Sequence, residues 1–191
     1  MENRDEAQTS SEARASRGDQ TADGDQTSEE AETHDEARWL SPEESATWLS
    51  VWTMTVWLPT RLDAQLREDS GLSLVEYHSL SQIDMSPERT LRLSELAAVT
   101  NMTLSHLSRV VSRLEDADLL RREPDPEDGR YTLAILTDAG HDRVVAAAPG
   151  HVEAVRKYVF DGLSDEQKAA LGDAMGPIVE ALVPTRIARR I

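Results

Sequence analysis

Read for where its apolar side chains fall, the chain divides at Arg38. Met1 to Arg38 holds no Leu, Ile, Val or aromatic residue, and Met1 is its only large apolar side chain. With nothing to bury, such a stretch cannot offset the entropy of ordering, and it reads as a disordered acidic tail, 1–38. From Trp39 the pattern changes. Trp48, Val51, Trp52, Val56, Leu58, Leu62 and Leu66 recur at helical spacing. Ser41 is placed to cap this helix, Pro42 suits its first position and Glu44 completes a capping box. Pro59 is expected to kink it, because proline removes a backbone donor, and Asp69-Ser70-Gly71 is expected to stop it. Four tryptophans (Trp39, Trp48, Trp52, Trp57) crowd segment 39–72. That is more apolar bulk than one stripe of a small domain needs. An interface between two copies is the first reading, an aromatic-lined ligand pocket the second.

Segment 73–137 alternates short elements. A second capping box, Ser73 to Glu76, opens a helix with Leu74, Val75, Tyr77, Leu80 and Ile83 turned inward, ending at Ser86-Pro87. Ser94 is expected to cap a short helix, Glu95 to Val99, in which Leu96 and Ala97 allow close packing. Thr100-Asn101 makes a turn. The next helix, Thr103 to Ala117, sets Leu104, Leu107, Val110, Val111 and Leu114 on one side. Opposite them lie Ser105, Arg109 and Ser112, flanked by His106 and Arg113. Short hydroxyl side chains let a helix backbone approach a groove floor, and arginine pairs with guanine edges or phosphates. After Leu119-Leu120 come Arg121-Arg122, the loop PDPEDGR, and an alternating run from Tyr131 to Ile135. This predicts a two-stranded hairpin with Arg130 near its tip. An arginine there can enter a narrow minor groove, and Asp128 is placed to hold its guanidinium by a charge-assisted hydrogen bond.

Segment 138–191 is helical again. Ala139 to Ala148 and His151 to Phe160 read as one long helix interrupted at Pro149-Gly150. Ser164 and Gln167 form a capping box for a final helix ending near Pro184. Val144, Val145, Val152, Val155, Val159, Leu171, Met175, Ile178 and Leu182 supply apolar faces that suit pairing with the first helix, within one subunit or across two. The fold class is therefore mainly α: a winged helix-turn-helix with a two-stranded wing hairpin, plus N- and C-terminal dimerisation helices.

Charge complicates this reading. The 191 residues carry a formal net charge of −16, whereas phosphate contacts need cations. Met1 to Arg38 holds twelve acids and four arginines, half of the imbalance. Ser86 to Leu136 still has nine acids against seven arginines. DNA binding then depends on arginines being gathered on one face. The chain has no cysteine, which excludes disulfides, thiolate metal sites and thiol redox sensing by this chain. No signal-peptide pattern and no apolar run of spanning length occurs, so the expectation is a soluble cytoplasmic protein with no membrane partner.

Catalysis finds no support in the motifs. The histidines (His34, His78, His106, His141, His151) are scattered, and there is no nucleophile elbow, Gly-rich phosphate loop, HExxH or paired-carboxylate motif. No cofactor is implied. Two alternatives share the fold. One is a metal-responsive regulator in which His78, His141 and His151 converge with acids such as Glu76 or Asp142. The other is a winged protein-interaction module that no longer binds DNA.

LSELA at Leu93 to Ala97, SRVVSRLEDADLLRR at Ser108 to Arg122, PDPEDGR at Pro124 to Arg130 and LTDAG at Leu136 to Gly140 occur in an order and spacing that are specific together. Through them the chain resembles the MarR family of bacterial transcription regulators, over about Ser41 to Val183. The resemblance implies a homodimer of triangular outline, with interlocked terminal helices and two winged modules facing successive major grooves. It implies double-stranded DNA as partner, a palindromic operator, repression, and release by a small phenolic or other anionic ligand. The helix Thr103 to Ala117 matches the family's recognition helix, and Asp128 and Arg130 its wing pair. The implied DNA-binding set is Thr103, Ser105, His106, Ser108, Arg109, Ser112, Arg113, Asp128 and Arg130. An effector pocket is expected near Trp52, Tyr77 and His78, beside the expected hinge. Two departures matter. Asp118 stands where such families carry glycine after the recognition helix, and aspartate tolerates the left-handed conformation. The absence of cysteine excludes the organic-peroxide-sensing branch.

Overall fold

Local capping chemistry places most of the helices. In the computed structural model, which describes residues 37–184, helix α1 (Pro42–Ser70) starts on the expected reciprocal bonds. Glu44 N donates to Ser41 Oγ at 3.1 Å and Ser41 N donates to Glu44 Oε2 at 2.8 Å. The expectations for 1–36 and 185–191 lie outside the described residues. Helix α1 runs through Pro59 without interruption and closes on Gly71, whose φ of 72° is the left-handed conformation glycine tolerates. Helix α2 (Leu74–Asp84) opens on the Ser73–Glu76 box, and α6 (Asp165–Leu182) on the Ser164–Gln167 box.

The start of the short helix differs from expectation. Helix α3 spans Leu93–Val99 with Arg92 at its N-cap, so Ser94 lies inside the helix rather than capping it. The cause is non-local. Thr90–Arg92 forms a strand, β1, and the chain passes from strand to helix with no intervening loop. Strands β2 (Leu120–Pro124) and β3 (Thr132–Leu136) make the expected hairpin, and β1 adds to the far side of β3, all antiparallel, in the order β1-β3-β2. The register pairs Leu91 with Ala134 and Leu120 with Leu136.

Helix α4 (Leu104–Asp116) follows α3 across a tight turn. Both helices close in the same way. Met102 N donates to Ala97 O and Asn101 N to Ala98 O; Leu119 N donates to Leu114 O and Asp118 N to Glu115 O. These are Schellman closures whose left-handed residue is not glycine but Asn101 (φ 51°) and Asp118 (φ 58°), so the turn survives the substitution at Asp118.

Leu107, Val110, Val111 and Leu114 are buried together with Leu80, Ile83, Leu96, Leu120 and Ala134. Each large side chain contributes about 1.5–3 kcal/mol by leaving water. Leu104 departs from expectation. It is 61% exposed, because the first turn of α4 stands clear of the core and the buried stripe begins at Leu107.

Helix α5 (Asp138–Val155) also departs from expectation, since it continues through Pro149-Gly150. Gly150 is a point of close approach: a Cβ there would lie 2.8 Å from Asp69 Oδ2 and 3.1 Å from Gln65 Nε2 of α1. The irregularity falls later, as a π-helical turn at Arg156–Phe160. The start of α5 is a joint. Thr137 Oγ1 accepts from Gly140 N at 2.9 Å and donates to Asp118 O at 2.7 Å, tying the end of α4 to the first turn of α5. A Cβ at Gly140 would meet Leu119 O at 2.0 Å.

Two helices leave their apolar residues in solvent. On α1, Trp48, Leu49, Trp52, Val56 and Trp57 are exposed, and only Leu62 and Leu66 are buried. Helix α6 buries no residue at all, and Ile178, Val179 and Leu182 are open.

Candidate nucleic-acid interface

The outer side of α4 is built as its spacing suggested. Thr103, Ser105, His106, Ser108 and Arg109 are exposed and Ser112 is half-buried. Thr103 Oγ1 accepts from His106 N at 3.2 Å, fixing the start of the helix. Arg109 has no ion-pair partner among the described residues. Arg113 is engaged differently: its Nε donates to Glu76 Oε1 at 2.8 Å, bridging α4 to α2. Burial pushes the Glu76 carboxyl up, but the Ser73 backbone and hydroxyl donors and the Arg113 guanidinium outweigh it and hold the group below its ordinary range.

The acids of this module are largely met within it. Arg122 donates to Glu115 from its backbone N at 3.0 Å and its Nε at 2.8 Å, and Arg121 Nε donates to Glu123 at 2.6 Å. A module with more acids than arginines can therefore still present cations outward at chosen points.

The wing loop presents one of them. Arg130 Nε donates to Asp128 Oδ1 at 2.9 Å and its NH2 group to Asp128 Oδ2 at 2.6 Å, the two-point geometry of a guanidinium–carboxylate pair. Asp128 is held below the ordinary carboxylate range by the Arg130 side chain and then by its backbone N–H. The Arg130 side chain is 85% exposed, so the fork is held at its base while its outer edge faces solvent.

Pattern reading missed the support beneath this loop. Arg92 Nε donates to Asp125 Oδ2 at 2.7 Å, and the Arg92 guanidinium lies 4.7 Å from the centre of the Tyr131 ring. Asp125 is buried, and its carboxyl is held low by the Glu127 backbone N–H and, against the opposing effect of burial, by Arg92. No local motif marks this pair, since 33 residues separate its members. An aspartate between two prolines is all that the sequence shows at this place.

The three residues expected at an effector pocket are not in one place. Tyr77 packs at a tilt of 50° against His151 of α5, with ring centres 4.8 Å apart. His78 lines a pocket of about 260 Å³ with Leu74, Val75, Thr100 and Met102, next to the turn between α3 and α4. Trp52 lies outside that pocket, on the open face of α1 beside Trp48, at 5.9 Å between ring centres. A larger groove of about 590 Å³ runs along α1, lined by Leu49, Met54, Trp57, Leu58, Arg61 and Tyr158 among others. The metal alternative loses its geometry. His141 Nδ1 lies 2.7 Å from Asp84 Oδ1, and among the described residues no group of three or more His, Cys, Asp or Glu side chains converges.

The same arrangement of elements recurs in known proteins. Residues 70–130 match the sequence model of the MarR family. The crystal structure of Sco3205, a MarR family transcriptional regulator from Streptomyces coelicolor in complex with DNA, is 43% identical. It covers 78% of this chain and 96% of its own, with a TM-score of 0.72. The chain belongs to the MarR family. AbsC, another MarR family transcriptional regulator of S. coelicolor, is 34% identical over 76% of this chain and 97% of its own, with a TM-score of 0.70. The HTH-type transcriptional regulator YxaD of Bacillus subtilis is 28% identical over 123 residues, 64% of this chain and 83% of its own. These relatives are transcription regulators rather than enzymes, and as a MarR family member the chain is a DNA-binding winged-helix regulator. Among the described residues no helix is long and apolar enough to cross a membrane.

Proposed function

We propose that this MarR family regulator acts as a homodimeric repressor on a palindromic operator and is released by a small effector. One observation carries the reading: α1 turns Trp48, Trp52 and Trp57 to solvent, and α6 turns out Ile178, Val179 and Leu182. Large apolar side chains exposed in that number are costly unless a partner covers them. A second copy supplies the same helices, and a closed dimer is the default symmetric solution. Segments 39–72 and 138–191 are then dimerisation helices, and 73–137 is the DNA module.

Two copies of the module require two half-sites related by a dyad. In each, Ser105, Ser108, Arg109 and Ser112 of α4 face the major groove. Thr103, His106 and Arg113 flank them, and the Asp128–Arg130 fork enters the adjacent minor groove. A dimer seated across a promoter excludes polymerase from it, which is repression. The pocket at His78 supports the release step. It is walled by α2 on one side and by Thr100 and Met102 on the other, so a small aromatic or anionic molecule wedged there pushes on the turn that sets α4. Tyr77 and Trp52 stand outside this pocket, Trp52 on the proposed dimer face.

Light scattering at micromolar concentration is expected to give twice the chain mass. A DNase footprint on the DNA upstream of the chain's own coding sequence is expected to protect a two-fold symmetric site. A monomeric mass, or protection without symmetry, contradicts the palindrome reading.

A further inference from the structure

The wing has to hold Arg130 at a fixed offset from α4, yet its own ladder ends at the pair Pro124–Thr132. Beyond that pair two backbone bonds close the loop, Asp125 N to Tyr131 O at 3.0 Å and Tyr131 N to Asp128 O at 2.9 Å. What ties this loop to the helix-turn-helix is Arg92. It is the last residue of β1 and the N-cap of α3, and it pairs in register with Leu133 of β3. Its side chain touches both arms of the loop. On the outgoing arm its Nε donates to the buried Asp125 carboxylate, whose other oxygen accepts from Glu127 N at 2.9 Å. A second guanidinium nitrogen lies 3.8 Å from Glu127 Oε2. On the returning arm it stacks over Tyr131, the immediate neighbour of Arg130.

We propose that Arg92 is a positioning residue for the wing: through Asp125 and Tyr131 it locks the root of the loop to the start of α3. Arg130 thereby reaches the minor groove at a set distance from the recognition helix. The inference rests on the reading of Arg130 as a DNA contact. A guanidinium suits the task because it is planar and can fork a carboxylate and stack on a ring at once, which a lysine ammonium cannot. The pair is shielded at one end only, Asp125 being buried while Arg92 is about one-third exposed.

The test is a set of double-mutant cycles on DNA affinity. The probes are a fluorescein-labelled duplex carrying the footprinted site and a shuffled duplex of equal length. Arg130→Ala and Arg92→Ala are each expected to weaken binding to the site by about ten-fold. In the double variant the two losses are not expected to multiply, because without Arg92 the wing arginine is no longer held in place. Arg92→Ala combined with Arg109→Ala is expected to multiply in full, since α4 docks independently of the loop. Asp125→Asn keeps the acceptor for Glu127 N but loses the ion pair, and is expected to reproduce Arg92→Ala. Should Arg92→Ala fail to fold, Arg92→Lys, which keeps the charge but not the planar fork, is expected to show the same coupling at smaller amplitude. General destabilisation does not produce a coupling confined to Arg130. Multiplying losses for Arg92 and Arg130 overturn the proposal and make Arg92 a separate phosphate contact. An inert Arg130→Ala removes the wing reading itself, and the proposal with it.

Discussion

Glu76 holds the Arg113 guanidinium with one carboxylate oxygen, at 2.8 Å, and closes the capping box of α2 with the other. One side chain thus starts α2 and fixes α4 against it. This separates the two arginines of α4 by task, since Arg109 has no such partner among the described residues. Arg113→Ala is expected to lower stability by about 1 kcal/mol or less, given how exposed the arginine is. Arg109→Ala is expected to leave the melting temperature in place and weaken operator binding by about 1–3 kcal/mol. Melting curves and gel shifts on both variants check the division. Equal melting losses would remove it.

Leu104 stands open at the first position of α4, the proposed recognition helix, among Thr103, Ser105 and Ser108. An apolar side chain at the leading end of such a helix matches the 5-methyl group of thymine in the major groove. Replacing thymines of the protected site one at a time by deoxyuridine is expected to lower affinity at one position per half-site. Leu104→Ala is expected to abolish that dependence. A wild-type protein indifferent to every replacement counts against the contact.

Acid sensitivity has two separable steps. His78 and His151 are both held below the ordinary histidine value of 6.5, by burial in each case; a backbone bond to Val99 partly opposes this at His78, and the nearby His78 adds to it at His151. Groups kept neutral in the fold but protonated when unfolded make stability fall as pH drops below 6.5, until the folded groups also titrate. Glu76 acts in a lower window: its stabilisation is complete above 4.5 and is lost as pH falls through its depressed folded value. His151 Nδ1 is buried without a partner, so phenylalanine can keep the ring contact with Tyr77 and drop the titration. His151→Phe is expected to shrink the first step to the share of His78 and leave the second, in melting temperatures followed from pH 7.5 to 4. An unchanged first step assigns it elsewhere.

Gly140→Ala tests the joint between the DNA module and α5. The added methyl would meet the Leu119 carbonyl, which is backbone and cannot swing aside. A loss of at least about 3 kcal/mol is expected in denaturant melts. Gly150→Ala meets only the ends of the Asp69 and Gln65 side chains and is expected to cost less. The reverse order would mean that the α1–α5 contact is the tighter one.

What could be read from the sequence was mostly what neighbours in the chain decide. The serine–glutamate and serine–glutamine boxes at Ser41, Ser73 and Ser164 depend on residues three apart, and all three stand as expected. Asp128 and Arg130 are two apart, and their fork was legible too. Features decided across the fold were not. Strand β1 is three residues long, too short for alternation to show, and its pairing with β3 moved the helix start from Ser94 to Arg92. Gly150 looked like a breaker because its role is to admit another helix. Leu104 fits the apolar spacing of α4 yet finds no core behind it. The partners of Arg92 and Arg113 lie 33 and 37 residues away. Capping chemistry is local and leaves a local signature, whereas ion pairs between elements leave none.

Helix α6 is eighteen residues long and buries none of them in its own subunit. Most helical stability in a protein comes from packing of an apolar face rather than from propensity, so the integrity of α6 depends on whatever lies against its open face. That makes it a gauge of assembly. On the proposed dimer, a protease that cuts after its exposed residues would read the fraction of unpaired chains, at concentrations too low for a mass measurement. The same dependence would make α6 more open to cleavage as the chain is diluted.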